Sequence, residues 1–223
     1  VGLVDKPAGR KQHASPTPLI GGLAIYLTII CVTLPLGNGP PGLLFASSIL
    51  IIAGMIDDLY GMRPVSKLVL QTLSTLALIL TTGVYVSSLG TLPNGLEINL
   101  GVSGIFFTLF AIVGVINAIN MIDGLDGLAG SISILAILQL VWAMENMGRP
   151  MPTEDLQILA IICGSLLAFL MFNFTQSSRK AFLGDAGSML LGLYLGFFLV
   201  KASQQQPQDS TLPTSLVPWI IAL

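Results

Sequence analysis

Long apolar stretches alternate with short polar ones along the whole chain. The apolar stretches cover residues 18–36, 42–56, 65–82, 104–120, 128–144, 156–174 and 186–201, and an eighth begins near residue 214. A helix of about 20 apolar residues spans the hydrocarbon core of a bilayer. The pattern therefore predicts an all-α, polytopic membrane bundle with about eight spans.

The segment 83–103 has a different pattern. Residues 85–88 and 97–100 are typical of short strands, and Asn94-Gly95 between them is a favoured hairpin turn. We therefore expect a small extramembrane β-hairpin between the third and fourth spans.

Composition agrees with a membrane location. Hydrophobic residues make up 53% of the 223 residues and charged residues 9%, whereas soluble domains carry about 25% charged residues. The nine Lys and Arg form no long basic stripe, so nucleic acid binding is not expected. The chain opens with Val1 and stops at Leu223 inside an apolar run. We expect residues 1–223 to be a single transmembrane domain that is a fragment, truncated at both ends.

The loops differ in charge when they are assigned alternately to the two sides of the membrane. One side holds loops 1–17, 57–67, 120–127 and 175–185, and these contain seven of the nine cations: Lys6, Arg10, Lys11, Arg63, Lys67, Arg179 and Lys180. The positive-inside rule makes this side cytoplasmic. Five acids fall on the same side: Asp57, Asp58, Asp123, Asp126 and Asp185. Ionisable groups beside hydrocarbon are costly and usually functional.

The pair Asp57-Asp58 follows the second apolar stretch. Adjacent carboxylates repel each other, and a divalent cation or a nearby lysine can offset that repulsion. Lys67, at the start of the next span, is the candidate lysine. The alternative is a pair of solvated loop acids without a function.

Asn117, Asn120, Asp123 and Asp126 recur at intervals of three residues. This spacing places the first three on one helical face, if the helix continues that far. Such a face suits a phosphate-bound metal and polar substrate groups, although an ordinary helix C-terminus with turn residues is the alternative.

The segment 182–188 precedes the seventh span and contains Phe182 and Asp185. Asp185 is either a helix cap or a metal ligand close to a positive helix end, which is a natural anion site. Phe182 is either a stacking platform for a base or an interfacial anchor.

Taken together, these motifs resemble those of the polyprenyl-phosphate N-acetylhexosamine-1-phosphate transferases (glycosyltransferase family 4). The matching pieces are residues 16–22, Asp57-Asp58 with Lys67, the run 117–127 and the run 184–188. Residues 2–7 and 85–90 look like the bacterial undecaprenyl-phosphate α-N-acetylglucosaminyl 1-phosphate transferase branch. Family members also carry a His-rich cytoplasmic loop, which would lie beyond Leu223, and His13 is the one histidine in these residues.

The resemblance implies transfer of GlcNAc-1-phosphate from UDP-GlcNAc to undecaprenyl phosphate, with release of UMP, to start O-antigen or other cell-envelope polysaccharide. It implies a multi-pass protein of the bacterial inner membrane with its site on the cytoplasmic face, in contact with membrane lipid. It implies Mg²⁺, with Mn²⁺ as an alternative ion, and a homodimer is one oligomeric state to consider. The implied roles are catalysis by Asp57, Asp58 and Asp126, substrate binding by Lys67, Asn117, Asn120 and Phe182, and metal binding by Asp123 and Asp185.

Several alternatives stay open at this stage. The sibling transferase of peptidoglycan synthesis, which uses UDP-MurNAc-pentapeptide, shares the acidic motifs. A cation-coupled transporter also places carboxylates in membranes, although usually near the midplane, and a non-catalytic scaffold is a third class. For the transferase, direct attack with Asp57 or Asp58 as activator competes with a covalent intermediate on an aspartate such as Asp185. We favour direct displacement, with Asp57 completing deprotonation of the lipid phosphate.

Overall fold

The computed structural model describes residues 3–5, 16–37, 39–91, 96–175 and 179–205. They form seven helices: α1 (Gly21–Leu36), α2 (Pro41–Tyr60), α3 (Pro64–Thr82), α4 (Ser103–Ile122), α5 (Leu128–Asn146), α6 (Thr153–Asn173) and α7 (Gly184–Ser203). Each helix coincides with one apolar stretch to within a few residues, so the predicted all-α bundle is confirmed. The cations Lys6, Arg10 and Lys11, His13, the turn Asn94-Gly95 and the eighth stretch lie outside the described residues.

Six of these helices, α2 to α7, are long and apolar enough to cross a membrane, while α1 has 16 residues and is shorter. One of them, α7, is far more buried than the other five. In the most apolar window of α7, 94% of the residues are buried inside the protein, against 22–44% in the other five helices. The helix α7 is therefore the central element, and the others turn one face outward.

The neighbours of α7 are α1, α2, α4 and α5, and glycines allow some of them to approach it closely. A Cβ atom added at Gly22 of α1 would lie 2.2 Å from the backbone nitrogen of Gly187, and one added at Gly192 would lie 2.4 Å from the Cα of Ile116 in α4. Small residues at such crossings let helix backbones touch inside a membrane. The core is thus built around α7 by direct backbone packing.

The helix α2 is longer than the apolar stretch that predicts it. It continues past Ile56 through Asp57 and Asp58 to Tyr60, and the oxygen Oδ1 of Asp57 accepts a hydrogen bond of 2.6 Å from the backbone N–H of Met62. Asp57 and Asp58 therefore project from the last turn of a helix and not from a loop. They lie at the end of the bundle where α2 and α4 finish and α3 and α7 begin, which we call the site end.

A two-stranded antiparallel sheet joins α3 to α4, as the sequence predicts. Its strands are β3 (Ser88–Thr91) and β4 (Glu97–Asn99). The first strand begins later than the sequence indicates, because the backbone N–H of Val86 donates to Oγ1 of Thr108 (2.9 Å) and that of Ser87 donates to Oε1 of Gln204 (2.9 Å). The backbone N–H groups of Val86 and Ser87 therefore bond to side chains of α4 and of the residue after α7 before the strand starts.

A second small sheet was not anticipated. It pairs β1 (Val4–Asp5) with β2 (Thr17–Pro18), just before α1. The backbone N–H of Phe182 donates to the carbonyl of Pro18 (2.9 Å), and that of Gly21 donates to the carbonyl of Phe182 (3.0 Å). The segment that leads into α1 is therefore joined to the segment that leads into α7.

The opposite end of α7 is held by an ion pair. The Nζ atom of Lys201 lies 2.7 Å from Oδ1 of Asp155, whose side chain is 2% exposed, in the first turn of α6. In the same region the Oε1 atom of Gln204 accepts from Ser87. Both ends of the central helix are thus fixed to neighbouring elements by polar contacts.

Candidate active site

Lys67 stands at the centre of the site end. Its ammonium nitrogen lies 2.9 Å from Oδ2 of Asp57, 3.0 Å from Oδ2 of Asp185 and 3.1 Å from Oδ1 of Asn120. These partners come from α2, α7 and α4, while Lys67 occupies the first turn of α3. One cation therefore ties four helices together at one end of the bundle.

Asp58 faces α7 and not Lys67. Its Oδ1 accepts a hydrogen bond from the backbone N–H of Asp185 (2.8 Å), and its Oδ2 accepts one from that of Ala186 (3.3 Å). These are N–H groups of the first turn of α7, which have no partner within the helix, and a carboxylate is favoured at that positive end. Asp58 thus caps α7 from another helix and fixes the backbone that carries Asp185.

Asn120 completes the contacts of Asp185. Its amide nitrogen donates to Oδ1 of Asp185 and to Oγ of Ser188, the latter at 2.8 Å. With Lys67 on Oδ2 and Asn120 on Oδ1, both oxygens of the Asp185 carboxylate already have a partner. The orientation of this carboxylate is therefore set from two sides.

Asn117 lies about one turn deeper along α4 than Asn120. Its amide nitrogen donates to Oε1 of Gln71 in α3 (2.8 Å) and to the carbonyl oxygen of Val113 (2.8 Å). The structure therefore directs this amide group to neighbouring helix atoms. Gln71 was not singled out from the sequence, although a polar residue one turn from Lys67 within an apolar span is a signal that could have found it.

Asp123 follows the last residue of α4 and is partly buried. Burial raises the pKa of the Asp123 carboxyl to about 7, and the negative charges of Asp185 and then Asp58 act in the same direction. The predicted acids of α2, α4 and α7 are therefore close enough to repel one another.

Asp126 lies in a second group of side chains, centred on Lys180 and separate from the group around Lys67. Its carboxylate pairs with Nζ of Lys180, and that nitrogen also lies 5.3 Å from the centre of the Phe182 ring. The two segments 123–127 and 179–183 thus meet beside the residues around Lys67.

The structure brings the nine residues predicted for the site into two groups. Lys67 contacts Asp57, Asn120 and Asp185 directly, Asp58 and Asp123 interact with Asp185, and Asn117 lies one turn deeper. Asp126 and Phe182 lie around Lys180.

The chain's similarity to known proteins agrees with this geometry. The sequence model of Glycosyl transferase family 4 matches residues 40–203, which include the whole of the site. The chain belongs to this family. Its helices α2 to α7 are those of a multi-pass membrane protein.

Curated relatives cover the full length of the chain. It is 33% identical over 229 residues to the undecaprenyl-phosphate alpha-N-acetylglucosaminyl 1-phosphate transferase of Haemophilus influenzae, 34% over 233 residues to that of Escherichia coli K12, and 32% over 232 residues to that of Yersinia pestis. Each match covers 100% of this chain and 63%, 61% and 61% of the relative. The chain therefore spans about six-tenths of the length of the relatives it matches.

The acids at the site end fit a magnesium ion that shares its ligands with a substrate. Among the residues that the structure describes, no three His, Cys, Asp or Glu side chains form a ready-made metal cage. Mg²⁺ is usually bound by one or two carboxylates together with substrate phosphates and water. Asp123 and Asp185 supply two such carboxylates, and their mutual repulsion is one that a divalent cation would relieve.

Asn173, at the end of α6, is a second residue that the sequence did not reveal. It is 4% exposed, its Oδ1 accepts from the backbone N–H of Gly127, and its Nδ2 donates to the carbonyl oxygen of Ala181 (2.9 Å). It therefore joins the loop that carries Asp126 to the loop that carries Phe182. No motif marks it, since it stands alone at the end of an apolar stretch.

Proposed function

We propose that this chain is the catalytic membrane domain of an enzyme that transfers GlcNAc-1-phosphate from UDP-GlcNAc to undecaprenyl phosphate and releases UMP. The observation that carries the proposal is the Lys67 cluster, in which one ammonium is held by Asp57 and Asp185 at the end of four helices. The names of the curated relatives supply the lipid and the sugar. The product would start O-antigen or another cell-envelope polysaccharide.

The central difficulty of this reaction is that two anions must meet. Lys67 places a fixed positive charge where the two phosphate groups would approach, and its position is held by three contacts. Magnesium held by Asp123 and Asp185 would neutralise the diphosphate and stabilise charge on the transferred phosphoryl group. Asn120, which already orients Asp185 and Lys67, would keep both groups aligned as substrate binds.

The bond changes follow from a direct displacement. An oxygen of the lipid phosphate attacks the sugar-bearing phosphorus and forms a new P–O bond. The bond from that phosphorus to the UMP oxygen breaks, and UMP leaves with the electron pair. A phosphate monoester has a second pKa of about 6, so the attacking group is mostly dianionic at neutral pH. Asp57 orients Lys67 and takes any remaining proton.

Direct displacement is favoured over a covalent intermediate because the lipid phosphate is itself mostly dianionic at neutral pH, so no aspartate nucleophile is needed. Asn120 and Lys67 orient the Asp185 carboxylate, and each of its oxygens keeps a second lone pair for a metal ion. We therefore expect no trapped sugar-phosphate adduct when the enzyme is incubated with UDP-GlcNAc alone, and mass spectrometry of the intact protein would reveal one if it formed.

The group around Lys180 is proposed to receive the nucleotide. Phe182 offers an aromatic face for stacking on the uracil base, and Asp126 contributes a carboxylate at the same edge, next to Lys180. Asp58 supports the site through α7, since its oxygens are taken up by backbone N–H groups.

The distribution of charge favours a transferase over a transporter. In the described helices, every Asp, Glu, Lys and Arg lies within about one turn of a helix end. Transporters usually bind their cargo near the midplane of the membrane. The concentration of cations on the loops of the site end supports a site on the cytoplasmic face of the bacterial inner membrane.

The test measures UMP release by the complete protein from UDP-GlcNAc, with and without undecaprenyl phosphate, and with Mg²⁺ or EDTA. UDP-GalNAc and UDP-MurNAc-pentapeptide are compared as donors. We expect release that requires both the lipid and the metal, and that is lost in Asp185→Asn but kept in Glu154→Gln, an exposed acid on the opposite end of the bundle. Release without lipid phosphate, or full activity of Asp185→Asn, would contradict the proposal.

A further inference from the structure

A polar layer lies directly beneath the Lys67 cluster, inside the membrane-spanning part of the bundle. Gln71 follows Lys67 by four residues on α3, so the two side chains share one face of the helix. Its side chain is completely buried, with a relative exposure of 0%. A buried carboxamide is costly in an apolar environment unless its donors and acceptor are satisfied, so its partners matter.

Both ends of the Gln71 amide are engaged. Its Oε1 accepts from Nδ2 of Asn117 at 2.8 Å, and its Nε2 lies 3.3 Å from the sulfur of Met189, to which it donates. Asn117 belongs to α4 and Met189 to α7. The amide therefore bridges α3, α4 and α7, the three helices that carry Lys67, Asn120 and Asp185.

The layer repeats the arrangement of the site one turn deeper. Gln71 lies four residues after Lys67, Asn117 three residues before Asn120, and Met189 four residues after Asp185. Residues three or four apart are vertical neighbours on a helix. A contact in the deeper layer therefore fixes the relative rotation and height of the helices on which the site residues stand.

The contacts of Asn117 indicate what it does. Its amide nitrogen donates to Gln71 and to the carbonyl oxygen of Val113, so both N–H groups are used within the bundle. The amide nitrogen of Asn117 is therefore engaged by neighbouring helix atoms, and its contact with substrate stays a prediction.

We propose that Gln71 and Asn117 are positioning residues for the transfer reaction. Their hydrogen bond holds α3 against α4 in the register that keeps the Lys67 ammonium on Asn120 and Asp185. Neither side chain touches substrate or metal. The effect on turnover rests on the proposed function, whereas the effect on helix register does not.

The test compares Gln71→Met, Asn117→Leu and the double variant in the complete protein. Ser74→Ala is the matched control, because Ser74 is a buried residue of α3 that bonds to the carbonyl of Ala46 in α2 (2.7 Å), away from the site. Melting temperature in detergent and kcat and KM for UMP release are measured for each protein.

Each single variant leaves one polar partner unsatisfied, whereas the double variant removes both. We therefore expect the double variant to lose less melting temperature than the sum of the two singles. We expect kcat to fall about 10- to 100-fold in all three, with KM nearly constant, because displaced catalytic groups slow the chemical step. Ser74→Ala keeps its kcat.

Two results would overturn the inference. The first is additive melting temperatures, which would mean that the two amides are not coupled. The second is a double variant that recovers both stability and kcat, which would mean that the pair only stabilises the fold. If the wild-type protein turns over no nucleotide sugar, the proposed function is wrong but the positioning role is still testable. The readout is then the rise in melting temperature that Mg²⁺ causes, measured in place of kcat. That rise should then be smaller in Gln71→Met than in Ser74→Ala, and an equal rise would refute the positioning role.

Discussion

Replacing Gly184 by Ala tests the attachment of α7 to Asp58. Gly184 has φ of +75°, and a Cβ atom added there would lie 2.7 Å from Oδ2 of Asp58. The new methyl group would therefore collide with the carboxylate that accepts from the N–H groups of Asp185 and Ala186. The substitution carries two separable penalties, one of backbone conformation and one of the lost cap.

The expected loss in free energy of unfolding is the sum of these two effects. A non-glycine residue with positive φ costs about 1–2 kcal/mol. Hydrogen bonds to a charged group contribute about 1.5–3 kcal/mol, and partial loss of the two bonds to Asp58 would add about 2–4 kcal/mol. Gly83→Ala provides the control, because Gly83 has φ of +69° and no atom within 4 Å of the added Cβ. It should show the backbone cost alone.

The assay is thermal unfolding in detergent, followed by loss of the monodisperse peak in size-exclusion chromatography. At about 2–4 °C per kcal/mol for a chain of this size, Gly184→Ala should melt at least about 4 °C below Gly83→Ala. It should also lose UMP release, since Asp185 would shift. Equal melting temperatures for the two variants would show that Asp58 does not hold α7.

The remaining predictions concern the site and the packing around α7. Lys67→Met should lower kcat about 10²- to 10³-fold, the usual effect of removing one electrostatic group from an active site; a loss under threefold in the UMP assay would exclude a catalytic role. Asp58→Asn should melt above Asp58→Ala, because the amide keeps one acceptor oxygen for α7, and the reverse order would contradict capping. Gly22→Ala should lower stability by about 1–3 kcal/mol through overpacking, since its Cβ would lie 2.2 Å from Gly187. Gly164→Ala on α6, with nothing within 4 Å of the added Cβ, should be neutral or stabilising in the same melting assay.

Hydropathy alone located the helices, because a span must satisfy all its backbone groups internally and must be apolar on its outer face. It failed where polar residues continue a helix. The apolar pattern predicts the end of α2 at Ile56, yet the helix includes Asp57 and Asp58 and stops only before Gly61. The sequence also places the start of β3 too early, since the backbone N–H groups of Val86 and Ser87 donate to side chains of Thr108 in α4 and of Gln204, the residue after α7.

The motifs identify the charged residues of the site and one of their contacts, that of Lys67 with Asp57, but not the contacts of Lys67 with Asn120 and Asp185. Lys67 contacts three residues from three helices that lie 10, 53 and 118 positions away along the chain, and no local pattern encodes that arrangement. The expected sharing of one helical face holds for Asn117 and Asn120, whereas Asp123 follows the end of α4 at Ile122. Gln71 and Asn173 contribute through burial and hydrogen bonding. A single polar residue in an apolar stretch is only a weak sequence signal for such a role.

The enclosed position of α7 has a consequence for biogenesis. Among the described helices α7 is the last to leave the ribosome, yet it occupies the space between helices made earlier. The earlier spans must therefore enter the bilayer as a loosely associated group that leaves room for it. Asp185 arrives with α7, so the cluster of Asp57, Lys67 and Asn120 acquires its fourth helix only when that space is filled. Among the described helices, the Lys67 cluster is therefore complete only once α7 has inserted, and a nascent chain that ends before α7 would lack Asp185.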